Sequence, residues 1–435
     1  MIRTIMKALR PLFATIGAIL VVHIAMEFLK DVPHTNAVHM VCLTRNPQQP
    51  RASGSLGVWY AGDKKFTLPS RWCDPVQKHI TIYGGEPSIF APKSLAHFAV
   101  TYRPLSELPS TYKVIEDETA YFLGNWCDFS PENFLQFTKQ IYFPLYWLIK
   151  STDQLYEGAK NVVFYPFIYA ICHSGQYFYH DIDRYKYFKD ILHVTNKLEV
   201  TAHMDHPEPH GICYKKAVFS SELFLDKAAE AIDYFKGTLQ VSDDTCDPNI
   251  LVIVDRARNR RILNIDELKK VGESLGYDVR VTVMEKLTLK EQAQLVHCTS
   301  VLAGVTGAGL QWAFFMKNHS GVVEIAWPHE DWPLFFMGNE VYNSGERDVI
   351  RPLNFAKVTD ANCRVNPGAM SLYWKELFHT TRNFTEKDAT AIVNDKRNYH
   401  FWKDGVASLG KMCDAVVNPM AFKNALLSVK NTRKQ

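Results

Sequence analysis

This 435-residue sequence has no Cys-x-x-Cys pair, no low-complexity tract and no internal repeat. The first absence leaves a zinc ribbon unsupported, and the other two argue against repeat arrays and disordered linkers. A strong charge is missing as well. Forty-nine Lys and Arg against 46 Asp and Glu leave a formal +3, too little to point to nucleic acid. Aromatic residues are plentiful, with 26 Phe, 20 Tyr and 9 Trp, as a large core or a sugar-stacking surface requires. The length accommodates two domains of ordinary size.

One long apolar run stands at the N-terminus. Arg3, Lys7 and Arg10 precede Pro11 to Met26, which is interrupted only by Thr15 and His23. No small-residue cleavage site follows, and basic residues ahead of the run keep that end cytoplasmic. Residues 1–30 are therefore expected to be a cytoplasmic tail and signal-anchor helix. The chain would be a single-pass type II protein of the endoplasmic reticulum or Golgi membrane, with a lumenal body. Nine cysteines suit that oxidising side. Several should pair, at least one is left over, and the sequence does not assign partners. Asn318-His319-Ser320 and Asn383-Phe384-Thr385 are glycosylation acceptor patterns.

The densest pattern lies in the second half. Ile250 to Val254 and Val301 to Val305 are short apolar runs of the kind buried on both faces of a parallel sheet. The first runs into a loop carrying Arg256, Arg258, Arg260 and Arg261. The second runs into Thr306-Gly307-Ala308-Gly309, a turn that opens the next helix. Arginines give permanently charged, bidentate contacts to phosphate, and free N–H groups at a helix start attract the same charge. Both strand ends lie where open α/β sheets bind ligands. A helix follows the arginines, with Asn264 as N-cap and Glu267 three residues on. The alternation predicts strand 250–254, helix 264–275, strand 279–284, helix 288–297, strand 300–305, helix 308–316 and strand 321–326, a doubly wound unit.

Arg256, Asn259, Arg260, Ile262, Leu263, Asn264, Glu267 and Leu268, then Gly-Ala-Gly-Leu and Val-Val-Glu-Ile, resemble glycosyltransferase family 61. The resemblance runs from about Trp59 to Trp332. It implies an α/β fold of GT-B type, two facing Rossmann-like domains, here behind an N-terminal transmembrane helix. It also implies an inverting glycosyltransferase. The first donor it suggests is UDP-GlcNAc, although other members use pentose donors, and the acceptor is a glycan or hydroxyl of a secretory-pathway protein. Arg256, Arg260, Asn264, Thr306, Gly307, Ala308 and Gly309 would hold the diphosphate side of the donor, and Glu324 its ribose or base. No metal or other cofactor is expected. The partners are the UDP-sugar donor, a protein or glycoprotein acceptor and, through the N-terminal helix, the membrane; nucleic acid is not among them.

A second family motif begins at Pro131-Glu132-Asn133 and ends at Pro144-Leu145-Tyr146. Asn133 matches and lies on the acceptor side. Gln136 stands where the family has His, and Thr306 replaces the His of its His-Gly-Ala-Gly. Neither Gln nor Thr can take a proton near neutral pH. Asp128 and Glu132, on the same strand-to-helix turn, are the candidate bases. The alternative is a degenerate member that binds nucleotide sugars or glycoproteins without turnover. Asp181-Ile182-Asp183 is too short a pattern to weigh against the longer motif, and the His203 to His210 stretch reads as a surface loop rather than a metal site. The expected division is 1–30 anchor, 31–54 stem, 55–240 acceptor-side domain, 241–385 nucleotide-sugar domain and 386–435 helical segment.

Overall fold

The computed structural model describes residues 40–45, 52–54, 58–67, 71–73, 78–84, 100–125, 142–143, 145–146, 150, 160–166, 211–220, 228–244, 246–326, 353–378, 381–398 and 412–432. The expected anchor at 1–30 lies outside them, as do Asp128, Glu132, Asn133, Gln136, Asp181, Asp183 and His203 to His210. Among the described residues no helix is long and apolar enough to cross a membrane.

The protein is α/β, with two main sheets. The first is built from β1 (Met40–Arg45), β2 (Lys78–Tyr83), β3 (Val100–Arg103), β4 (Lys113–Asn125), β5 (Lys160–Pro166) and β6 (Ile212–Ser220), in the order β3-β2-β1-β6-β4-β5. All neighbouring pairs are parallel except those of β1, which runs against both β2 and β6. The sheet is therefore mixed, which departs from the plain Rossmann-like expectation. Part of the expected stem is also an inner strand: Cys42 of β1 lies opposite Cys213 of β6 and is bonded to it.

The second sheet follows α1 (Ala228–Thr238). Its strands are β7 (Ile250–Asp255), β8 (Asp278–Val283), β9 (Val301–Val305), β10 (Gly321–Ile325) and β11 (Asn354–Val358). They are all parallel, in the order β8-β7-β9-β10-β11. This is the 2-1-3-4-5 doubly wound order, in which the chain reverses direction between the first and third strands. Helices α2 (Ile265–Ser274) and α3 (Leu289–His297) connect the first three strands. Side chains of β7 alternate between two cores. Ile250, Val252 and Val254 pack with Ala293 and Val296 of α3. Leu251 and Ile253 pack with Leu268 of α2 and Phe422 of the last helix. Both faces are covered, so β7 must be apolar throughout, and burying each such side chain contributes roughly 1.5–3 kcal/mol.

Local signals set the helix ends. Thr288 caps α3 in a full capping box with Glu291. Asn264 stands at the expected N-cap of α2, but its side chain makes no capping hydrogen bond. Its amide instead exchanges hydrogen bonds with the Val417 backbone, donating to the carbonyl at 2.8 Å and accepting from the N–H at 3.0 Å. The segment after β9 forms a 3-10 turn, Ala308–Phe315, rather than an α-helix. Trp312, Phe314 and Phe315 are all buried there, and so is the polar Gln311.

The remainder includes β12 (Ala361–Val365), α4 (Pro367–Phe378), α5 (Glu386–Asn394), β13 (Cys413–Val417) and α6 (Pro419–Thr432). The expected helical segment from 386 thus contains a strand, β13, paired with β12 and joined to it by Cys363–Cys413. An early hairpin, Val58–Ala61 with Lys64–Thr67, packs here through Ala61 and Phe66. Asn398 exchanges two hydrogen bonds with the Tyr60 backbone, and Lys64 pairs with Asp388.

Candidate functional site

The ends of β7 and β9 meet at the reversal point of the second sheet. Val254 is in register with Gly304, so the Asp255–Arg261 loop and the Thr306–Gly309 turn leave the sheet side by side. Gly307 has φ +143, a backbone region that L side chains rarely adopt. A Cβ built there would lie 2.3 Å from Arg260 Nη1 and 3.2 Å from Arg256 Nη1. Two guanidinium groups thus close directly over a glycine backbone.

Among the described residues neither arginine is neutralised by a carboxylate contact. Arg256 makes no hydrogen bond or ion pair among the described residues, and its Nη1 is shut off from solvent. Arg260 donates from Nη1 to the Thr306 carbonyl at 2.9 Å, while its Nε is buried without a partner. Each residue keeps some exposed surface, but the inner nitrogens do not see water. Burial pushes the guanidinium pKa of Arg256 down, and that of Arg260 further, with Arg256 beside it adding to the effect. An arginine stays protonated under such pressure. The direction therefore records the cost of holding two positive charges together in a dry place, a cost that a bound anion would offset. Arg260 itself has φ +55, a strained conformation that its surroundings must enforce.

Strand β13 supplies that enforcement. Arg261 grips the buried Asp414 from Nε at 2.9 Å and Nη2 at 2.5 Å, and its own N–H donates to the same carboxylate at 3.0 Å. The Ala415 backbone brackets the loop, donating to Arg261 and accepting from Leu263. Asn366 donates both to Asp414 and to the Arg258 carbonyl. The four arginines therefore divide. Arg256 and Arg260 face Gly307, Arg261 locks the loop, and Arg258 is exposed.

The other expected residues are placed as follows. Gly307 to Gly309 form the turn with Thr306, whose N–H donates to Ile325 and whose carbonyl serves Arg260. The first N–H groups of the 3-10 turn have no partner within it, as at any helix start. Asn264 is occupied with Val417. Glu324 sits in β10 beside Gly304 and has no solvent exposure, so it lies beneath the surface rather than at a strand end. Glu285 was not singled out in the sequence. It lies in the turn Met284–Lys286 at the end of β8, and its charge acts on both arginines. Its position two residues past an edge strand was the available signal. A possible metal trio, Asp243, Cys246 and His297, is compromised because Cys246 is bonded to Cys298.

Comparison with known proteins gives one family. Residues 127–323 match the family model described as Glycosyltransferase 61. Three curated rice proteins (Oryza sativa subsp. japonica) are similar over short stretches. Alpha-1,3-arabinosyltransferase XAT3 is 34% identical over 19% of this chain and 15% of its own length. Beta-1,2-xylosyltransferase XAX1 is 34% identical over 23% and 17%, and alpha-1,3-arabinosyltransferase XAT2 is 32% identical over 19% and 14%. The chain thus spans less than a fifth of the length of these relatives. A solved flavodiiron protein from Giardia intestinalis aligns at 12% identity with a TM-score of 0.19, covering 56% of this chain and 49% of that one; so low a score carries no weight.

Proposed function

We propose that this chain, a family 61 glycosyltransferase domain over residues 127–323, moves a sugar from a UDP-sugar onto a glycan or hydroxyl of a secretory-pathway protein. One observation carries the reading: two half-buried arginines whose inner nitrogens are shut off from solvent, with no carboxylate partner among the described residues, held over Gly307 at the reversal point of a doubly wound sheet. Such a place suits a diphosphate. In an inverting displacement the acceptor oxygen attacks the anomeric carbon, the bond from that carbon to the diphosphate oxygen breaks, and negative charge grows on the departing nucleoside diphosphate. Arg256, Arg260 and the N–H groups from Gly307 to Gly309 would stabilise that charge. A base must take the acceptor proton, and Asp128 and Glu132 are the candidates.

The GT-B arrangement, with the first sheet on the acceptor side, belongs to this proposal. So does a lumenal location behind an N-terminal anchor, which the three disulfides among the described residues support. Family resemblance suggested GlcNAc first, whereas the names of the rice relatives specify arabinosyl and xylosyl transfer. The test is therefore run with UDP-GlcNAc, UDP-xylose and UDP-arabinose. Full-length protein in detergent is assayed for UDP release with a panel of glycoprotein acceptors, with Arg260→Ala as control. Release that the substitution abolishes supports the transferase. A second reading, nucleotide-sugar binding without turnover, is favoured by Thr306, where the family has His. It predicts tight UDP binding and no release with any donor.

A further inference from the structure

We propose that Glu285 is the ribose-recognising residue of this site, accepting hydrogen bonds from the vicinal hydroxyls of a nucleoside diphosphate whose phosphates lie on Arg256 and Arg260. The proposal rests on the nucleotide reading above and deepens it. Asp255 of β7 is in register with Val283 of β8, and Val254 with Gly304 of β9. The ends of β8, β7 and β9 therefore present Glu285, Arg256 and the Gly307 turn in a row. Adjacent strands are about 4.8 Å apart, so the row is stepped on the scale of ribose next to diphosphate.

The anchoring fits this role. Met284 is buried in the core beside β7 and fixes the turn, while Glu285 next to it is exposed. Glu285 is near enough for its charge to act on both arginines, yet it forms no ion pair with either among the described residues. An acid in that position has two free oxygens, and a vicinal diol offers two donors to them, giving charge-assisted hydrogen bonds. Glu324, the residue expected to meet the ribose, has no exposed surface in this structure and would need the sheet layer to open. The opposite outcome is clear as well. If Glu285 met no hydroxyl, its charge would only repel a diphosphate.

The test is isothermal titration of full-length protein, wild type and Glu285→Ala, with UDP, 2′,3′-dideoxy-UDP and pyrophosphate. We expect the substitution to weaken UDP at least tenfold, to leave pyrophosphate unchanged or tighter, and to leave the dideoxy nucleotide unaffected. Glu285→Gln, which keeps one acceptor, should fall between. UDP binding the variant as well as or better than the wild type would overturn the proposal, as would equal losses for UDP and dideoxy-UDP. Wild-type protein that binds neither UDP nor pyrophosphate would instead refute the underlying nucleotide reading.

Discussion

Replacing Gly307 with alanine tests the candidate site at its tightest point. The new Cβ would stand 2.3 Å from Arg260 Nη1, where non-bonded heavy atoms prefer about 3.5–4 Å. Arg260 must withdraw by an ångström or more, which breaks its bond to the Thr306 carbonyl. A hydrogen bond from a charged donor is worth about 1.5–3 kcal/mol. The φ of +143 adds strain of about 1–3 kcal/mol for a residue with a Cβ. Together they predict a loss of roughly 2.5–6 kcal/mol in the unit containing β7 and β9, read by denaturant unfolding and by hydrogen exchange in those strands. In an Arg260→Ala background the clash disappears and only the backbone strain remains. The double variant should thus lose less than the sum of the single changes. Gly307→Ala that unfolds at the wild-type denaturant concentration, or strictly additive effects, would show that the two residues do not meet as described.

Arg256→Ala, which gives up no hydrogen bond, should leave the unliganded protein as stable as wild type or more stable, because a desolvated like charge is removed; Arg260→Ala also gives up the Thr306 bond and should be the less stable of the two. Pyrophosphate affinity should fall at least tenfold in both; calorimetry and titration read the two effects separately. Arg261→Ala should act differently, costing about 3 kcal/mol by leaving buried Asp414 without its bidentate partner, and urea unfolding checks this. Removing Cys363–Cys413 by paired Cys→Ser substitutions should cost about 2–4 kcal/mol and raise hydrogen exchange in β12 and β13. His297 has its pKa lowered, first by burial and then by Lys236 nearby. A group that prefers to be neutral when folded contributes stability above its ordinary value of 6.5, and that stability is lost as the pH falls through the lower folded value. Wild type should therefore weaken on the acid side of neutrality, and His297→Gln should flatten that limb of the stability profile.

The parallel sheet was legible because β7, β9 and β10 are apolar runs buried on both faces, a pattern the chain carries locally. The arginine loop and the glycine turn were legible for the same reason, since residue type and strand-end position suffice. Which two of the four arginines face the site came from the family resemblance and not from the local pattern, because the choice depends on Asp414 and Asn366, more than 100 residues downstream. Asn264 was legible as the N-cap, but the partner of its amide, Val417, was not. β1 read as stem because its place in the sheet is fixed by β2 and β6, and by a partner cysteine 171 residues away. Glu285 went unnoticed because a lone acid after an edge strand has no meaning until the neighbouring strand ends are known.

The central claim is that Arg256 and Arg260 form a diphosphate site at the reversal point of the sheet. Titration of full-length protein with UDP in the presence of a metal chelator tests it most directly. The account predicts one-to-one binding, weakened at least tenfold by either Arg256→Ala or Arg260→Ala and unaffected by Arg258→Ala. Binding that survives both site substitutions, or that is lost with Arg258→Ala alone, would contradict it.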